Sequence, residues 1–338
     1  MRGIEHIPRL SHNGLMERDI PNPSPGQPIL VVTGPTASGK SALALDAAVA
    51  FSGTVINADS MQVYCELRVL TARPLPADEA RAPHRLFGVL SGTEPCSAGR
   101  WLGLAVAAID ETRSAGRLPI VVGGTGLYLR ALVEGLAPVP EIADAVRAEA
   151  RALHERLGAE AFRAELARID PEMAQRLPAT DRQRLIRAYE VAKTTCRSLA
   201  EWQREKMPRP PVAGRFATIA LNPPRDVLYA AIDARFERMI EAGALDEVKA
   251  LEDMNLNPTL PAAKALGVAP LRRYLRGETG LDEACKAAKQ ATRNYAKRQC
   301  TWLGNQIAGA DVHNTQYSES LKPKIFSFIR QFLLTPDI

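Results

Sequence analysis

The residues with the clearest chemical potential are Gly34-Pro35-Thr36-Ala37-Ser38-Gly39-Lys40-Ser41, which fit the pattern G-x-x-x-x-G-K-[ST] in full. Glycines at both ends let the backbone curl until successive N–H groups point inward. Those donors and the positive end of the following helix hold phosphate oxygens. Lys40 would bridge terminal phosphates, and the Ser41 hydroxyl would help hold Mg²⁺. The pattern predicts binding of a di- or triphosphate and does not require its hydrolysis. An NTP-hydrolysing enzyme usually has an aspartate at the end of a further strand. Here the apolar run 120–122 ends in Gly123-Gly124-Thr125-Gly126, and no acid follows until Glu134. A second candidate is Asp59-Ser60-Met61-Gln62. Asp59 beside a phosphate loop could take a proton from an incoming nucleophile, or it could be a helix N-cap. The residues alone leave these readings even. Thr125 could point its hydroxyl into the same crevice or belong only to a tight turn. His84 reads as structural, because no Ser or Cys partner suggests a nucleophilic relay.

Such groups need elements to position them. Ile29–Val32, Thr54–Asn57 and Pro119–Val122 are short apolar, β-branched runs that read as buried strands. Helical patterns separate them, in SALALDAAVAF and near Trp101–Ser114. The alternation predicts a parallel α/β sheet, and right-handed crossovers would place all three strand ends on one edge. Residues 141–206 differ: 25 of 66 are charged, 13 basic and 12 acidic, with one glycine. Amphipathic spacing there predicts a helical insertion whose charges mostly form a solvated face. KMPRPPVAGR would return the chain to a strand at Phe216–Leu221. A long helix is expected from about Leu281 to Trp302. It carries Lys286, Lys289, Arg293 and Lys297 on one face, which reads either as an ordinary solvated stripe or as a grip for a polyanion. The expected divisions are an extension at 1–28, a core at 29–140 and 207–315, the insertion at 141–206 and a tail at 316–338.

Composition sets the outer limits. The chain has 338 residues, 46% apolar and 24% charged, enough for a substantial core without staples. Its formal charge of +5 permits a polyanionic partner without demanding one. No apolar run approaches the roughly 20 residues of a membrane span, and the first residues lack a secretory core. Five cysteines stand singly, with no C-x-x-C pair, so a zinc site is not expected. The odd count points to a reducing compartment, the cytoplasm by default.

Seven segments in order then carry a resemblance: GPTASGKS, ADSMQVY, TARP (Thr71–Pro74), PHRL (Pro83–Leu86), VGGTGLYLRAL, DRQRLIRAYEV (181–191) and AKRQCTWL (296–303). From about residue 29 to about 305 the chain resembles the tRNA dimethylallyltransferase family, in its bacterial form. The resemblance implies an α/β fold: a P-loop NTPase-like parallel sheet core with a helical insertion domain and a helical C-terminal part. It implies transfer of a dimethylallyl group from dimethylallyl diphosphate to the exocyclic amine of the adenosine 3′ of the anticodon. The tRNAs concerned read codons beginning with U, and Mg²⁺ is required. Asp59 matches the family's general base, with Thr36 and Lys40 beside it. Gly34 to Ser41 would hold the diphosphate. So would Lys249, which stands where the family has an arginine. Contacts to the tRNA anticodon stem-loop are implied for Asp59, Ser60, Met61 and Gln62, for Thr125 and Arg147, and for Gln183, Arg184, Leu185, Ile186 and Arg187. Arg293, Lys297 and Arg298 would grip phosphates. The target base would be unstacked to reach the site. Gly267-Val268-Ala269 departs from the family's G-Y-[RK], and Leu303-Gly304 lacks a usual arginine. A monomer without membrane contact is expected. Prenylation of free adenine nucleotides, a small-molecule kinase and a non-catalytic RNA-binding protein are the alternatives.

Overall fold

The computed structural model describes residues 26–205, 210–306 and 309–335. The expected extension falls largely outside them. So does Lys206–Arg209 of the return linker.

Six parallel strands form one sheet in the order β3-β2-β4-β1-β5-β6. They are β1 (Pro28–Thr33), β2 (Gly53–Asn57), β3 (His84–Arg85), β4 (Leu118–Gly123), β5 (Arg215–Leu221) and β6 (Asp311–His313). The central β1 pairs with β4 through Leu30–Ile120 and Val32–Val122, and with β5 through Leu30–Ala217 and Val32–Ile219. All of β4 and nearly all of β1 is buried. A parallel sheet covered on both faces needs such unbroken apolar strands.

Alternate residues feed two cores. Ile29 and Val31 face a core completed by α3 (Ala98–Ser114) and α4 (Gly126–Glu134). It continues with α10 (Arg225–Glu241), α11 (Ala244–Asp253), α12 (Val268–Leu275) and α13 (Leu281–Gln306). Leu30 and Val32 face the other core, built with α1 (Lys40–Ala50) and α14 (Lys322–Leu334). This corrects the expected tail: Ile325, Phe326 and Ile329 of α14 are buried against the sheet. The two-residue β3 and three-residue β6 are too short to show a period in sequence. A short helix α2 (Pro76–Glu79) lies between β2 and β3.

The chain divides into two compact units, 26–133 with 211–335, and 134–210. The second is helical: α5 (Asp144–Leu157), α6 (Ala159–Ile169), α7 (Pro171–Arg176), α8 (Arg182–Thr195) and α9 (Leu199–Arg204). Its bounds are slightly wider than the insertion read from charge density. Phe162, Leu166, Leu185, Val191 and Ala200 form its core. Buried Asp170 ties helix starts together. Its carboxylate accepts from the Met173 N–H, the Leu199 N–H and the Ser198 hydroxyl, so its lost hydration is replaced.

Candidate active site

The glycine-rich loop joins β1 to α1 at the edge where β2 and β4 also end. Lys40 opens α1 and its Nζ donates to the Pro35 carbonyl at 3.3 Å. Burial pushes the Lys40 ammonium down to about 8, although the Asp59 carboxylate pulls the other way; Arg235 adds to the fall. The loop is splinted from outside, where the Tyr317 N–H donates to the Ser38 carbonyl and the Gln316 side chain to Ala37.

Thr36 is held from two distant helices. Its N–H donates to Gln299 Oε1 of α13 at 2.8 Å, and its hydroxyl accepts from Arg235 Nη2 of α10 at 2.5 Å. Gln299 also donates to the Gly124 carbonyl at 2.9 Å, so one amide joins the phosphate loop to the turn after β4. That contact explains part of the Gly-Gly-Thr-Gly run. A Cβ on Gly124 would lie 2.2 Å from Gln299 Nε2, and one on Gly126 would lie 2.3 Å from the Trp302 indole. The segment AKRQCTW therefore pairs with VGGTG through space.

Asp59 follows β2. Buried Asn57 orients it by accepting its N–H and donating to its carbonyl. Asp59 Oδ1 accepts from the Met61 N–H at 2.9 Å. Among the described residues Oδ2 accepts no hydrogen bond. The segment 60–63 is a turn, so the N-cap reading is replaced by a turn that leaves one oxygen available. Thr125 accepts from the Ser60 N–H at 3.0 Å. Its hydroxyl also lies in reach of Tyr295 of α13.

Some of these groups line one cleft of about 260 Å³. Thr36, Asp59, Ser60, Arg235 and Tyr295 form a polar part, and Leu70, Ile232, Phe236, Met239 and Leu266 an apolar part. Glu247 props the apolar wall from behind, accepting the N–H groups of Arg68, Val69 and Leu70 at 2.7, 2.6 and 2.9 Å. Met61 lines the cleft, whereas Gln62 turns aside and donates to the Thr71 and Ala72 carbonyls.

Several expected residues stand elsewhere. Lys249 is exposed on α11 and does not line the cleft. At about 100° per residue, a helix that turns Glu247 and Val248 inward turns Lys249 to solvent. Arg235 and Lys264 supply cations instead. Arg235 carried a sequence signal: Ile232, Arg235, Phe236 and Met239 follow i, i+3, i+4, i+7, placing one arginine on an apolar stripe. The basic face of α13 is also partly spent within the fold. Lys289 pairs with Glu237 and Arg293 with Asp233, both on α10. Lys297 and Arg298 remain exposed and, with Asn294 and Thr301, line a surface recess. In the helical unit, Leu185 and Ile186 are core side chains, since α8 must bury one face. Gln183 and Arg184 are exposed, and Arg187 is half-buried beside Glu190. Arg147 lies 3.6 Å from Asp144.

Among the described residues no group of three or more His, Cys, Asp or Glu side chains could hold a metal. Ser41 is exposed in the first turn of α1, beside the phosphate loop. A lone hydroxyl there fits an Mg²⁺ ion carried mainly by diphosphate oxygens and water.

Comparison with known proteins accords with this geometry. The family described as IPP transferase matches residues 62–306, and the one described as isopentenyl transferase matches residues 27–88. A tRNA dimethylallyltransferase of Rhodospirillum centenum is 57% identical over 284 residues, 84% of this chain and 90% of that one. One of Rhodospirillum rubrum is 54% identical over 93% of this chain and 98% of the other. The crystal structure of a full-length tRNA isopentenylpyrophosphate transferase from Bacillus halodurans is 32% identical, with a TM-score of 0.66 over 91% of this chain and 96% of that one. With Thr36 of the phosphate loop and Asp59 on one cleft and these relatives matched along most of its length, the chain belongs to the tRNA dimethylallyltransferase family of prenyl-transferring enzymes.

Proposed function

We propose that the enzyme moves a dimethylallyl group from dimethylallyl diphosphate to the exocyclic amine of the adenosine 3′-adjacent to the anticodon, in tRNAs reading codons that begin with U. The supporting observation is the cleft itself. Asp59 offers a carboxylate oxygen without a partner among the described residues, in the same space as the Thr36–Arg235 pair, and an apolar wall adjoins both. A diphosphate on the loop would meet backbone N–H groups, Lys40 and Arg235. A five-carbon allylic chain suits the wall of Leu70, Phe236 and Met239.

The allylic carbon–oxygen bond breaks and the diphosphate oxygen keeps the electron pair. Lys40, Arg235 and the loop N–H groups would meet that growing charge. A carbon–nitrogen bond forms to the amine. The adenine amine is a poor nucleophile because its lone pair is delocalised into the ring. Asp59 accepts its proton as the new bond forms. Mg²⁺, held at Ser41 together with the diphosphate, would supply further neutralisation of the leaving group.

The test offers labelled dimethylallyl diphosphate with either unmodified tRNA or AMP, followed by mass spectrometry of the nucleosides. Prenylated adenosine in tRNA is expected. Turnover of AMP alone would reject the tRNA assignment. Transfer of the ATP γ-phosphate, with no binding of the prenyl donor, would reject prenyl transfer.

A further inference from the structure

Tyr295 is a polar side chain of the cleft for which the chemistry above has no use. It sits on the inward face of α13 with Thr292, Gln299 and Trp302, at steps of 3, 4 and 3. The guanidinium of Arg298 lies 5.6 Å from its ring centroid, and the Thr125 hydroxyl is its polar neighbour. It lines the cleft together with Asp59. Around Asp59 the site thus presents an acceptor, Oδ2, and a phenolic donor.

That pattern matches a specific nucleobase edge. Adenine shows an amine N–H donor next to a ring-nitrogen acceptor, whereas guanine shows a carbonyl oxygen where adenine has its amine. Resting on the prenyl-transfer reading, we infer that Tyr295 reads the target base: its hydroxyl donates to a ring nitrogen beside the amine while Asp59 engages the amine itself. The pair would hold the amine toward the allylic carbon and would reject guanine, whose carbonyl oxygen would face the Asp59 carboxylate. Burial, reinforced by the Asp59 charge, holds the Tyr295 hydroxyl well above its ordinary range, so it enters as a donor across the working pH range. Arg298 keeps the ring in place from the solvent side.

The test crosses one protein change with two base changes. Anticodon stem-loop RNAs carry adenosine, 1-deazaadenosine or 7-deazaadenosine at the target position. Wild-type enzyme and Tyr295→Phe are compared by kcat/KM for RNA at saturating dimethylallyl diphosphate. A neutral hydrogen bond corresponds to roughly a 3- to 10-fold effect. One deaza analogue should lower the wild-type value by about that factor. Tyr295→Phe should lower the adenosine value similarly and be indifferent to that analogue, with KM for the prenyl donor unchanged. A deaza effect on amine reactivity alone would persist in Tyr295→Phe and so separates from recognition. The inference is overturned if both analogues react like adenosine in the wild type, or if the penalty is equal in the two proteins. Should Tyr295→Phe not fold, Tyr295→Leu takes its place in the same comparison, and equal reaction of all three bases in the wild type overturns the inference without either variant. Wild-type failure on adenosine RNA would instead sink prenyl transfer itself, and this inference with it.

Discussion

The sheet unit and the helical unit use the same charged residue types in opposite ways. In the sheet unit Lys40, Asp59 and Arg235 are half-buried and close together, and the charges of Asp59 and Arg235 both act on the titration of Lys40. In the helical unit the charges are spread over helix surfaces and satisfied locally. Arg182 pairs with Glu155, Arg184 with Asp181, and Arg197 with Glu201 and Glu205. Charges removed from water interact strongly and hold a fixed geometry. Exposed pairs are screened and weak. An arginine in such a pair can exchange its carboxylate for a passing phosphate at little cost. A cleft arginine cannot move without dismantling the site. One regime suits bond-breaking, and the other suits reversible contact with a polyanion.

Four substitutions or conditions test that contrast. Asp59→Ala should reduce single-turnover prenyl transfer by about 10²- to 10⁴-fold, the range for a lost general base, with RNA affinity in a filter-binding assay largely kept. Unchanged turnover would remove Asp59 from the mechanism. Arg235→Lys keeps the charge and loses the fork that holds Thr36. It should lower kcat/KM for the prenyl donor by about 10- to 100-fold, as for a charge-assisted hydrogen bond.

The third test is pH. Lys40 loses its proton in the free enzyme near pH 8. The cation is present below that value and is lost as pH rises through it. Donor binding should therefore weaken by about tenfold between pH 7 and 9, and Lys40→Met should flatten that limb. A profile unchanged by Lys40→Met would take Lys40 out of donor binding. The smallest effect is expected in the helical unit. Arg184→Ala should leave stability within about 0.5 kcal/mol, as at other surface sites. If Arg184 meets a phosphate, the slope of log affinity against log salt should fall by about one. A large loss of melting temperature would show that this surface pair behaves like the buried set.

Much of the sheet unit was legible in sequence because its signals are local. A loop of fixed glycine spacing, strands of four to six apolar residues and the helices between them are short-range patterns. Asp59 and Thr125 were legible as residues at strand ends. The cleft that Asp59 shares with Thr36 was not, because it depends on α10 and α13 packing over the sheet edge. Lys249 misled for a simple reason: a cation near the right place in sequence faced solvent once α11 settled its inward side. Leu185 and Ile186 misled because a motif names consecutive residues, while a helix sends neighbours in different directions.

The sequence by itself determined the phosphate loop, the parallel α/β alternation and the ordered motifs by which the family is known. Each of these signals is written in short stretches of consecutive residues. Tertiary structure decided which cation meets Thr36, why two glycines precede and follow Thr125, and which side chains share a cavity with Asp59. Thr36 and Gln299 are 263 positions apart, and Thr36 and Arg235 are 199 apart. No local pattern records such encounters. They exist because burying the apolar faces of α10 and α13 brings their few polar residues to the sheet edge, where an unpaired polar group would otherwise be costly.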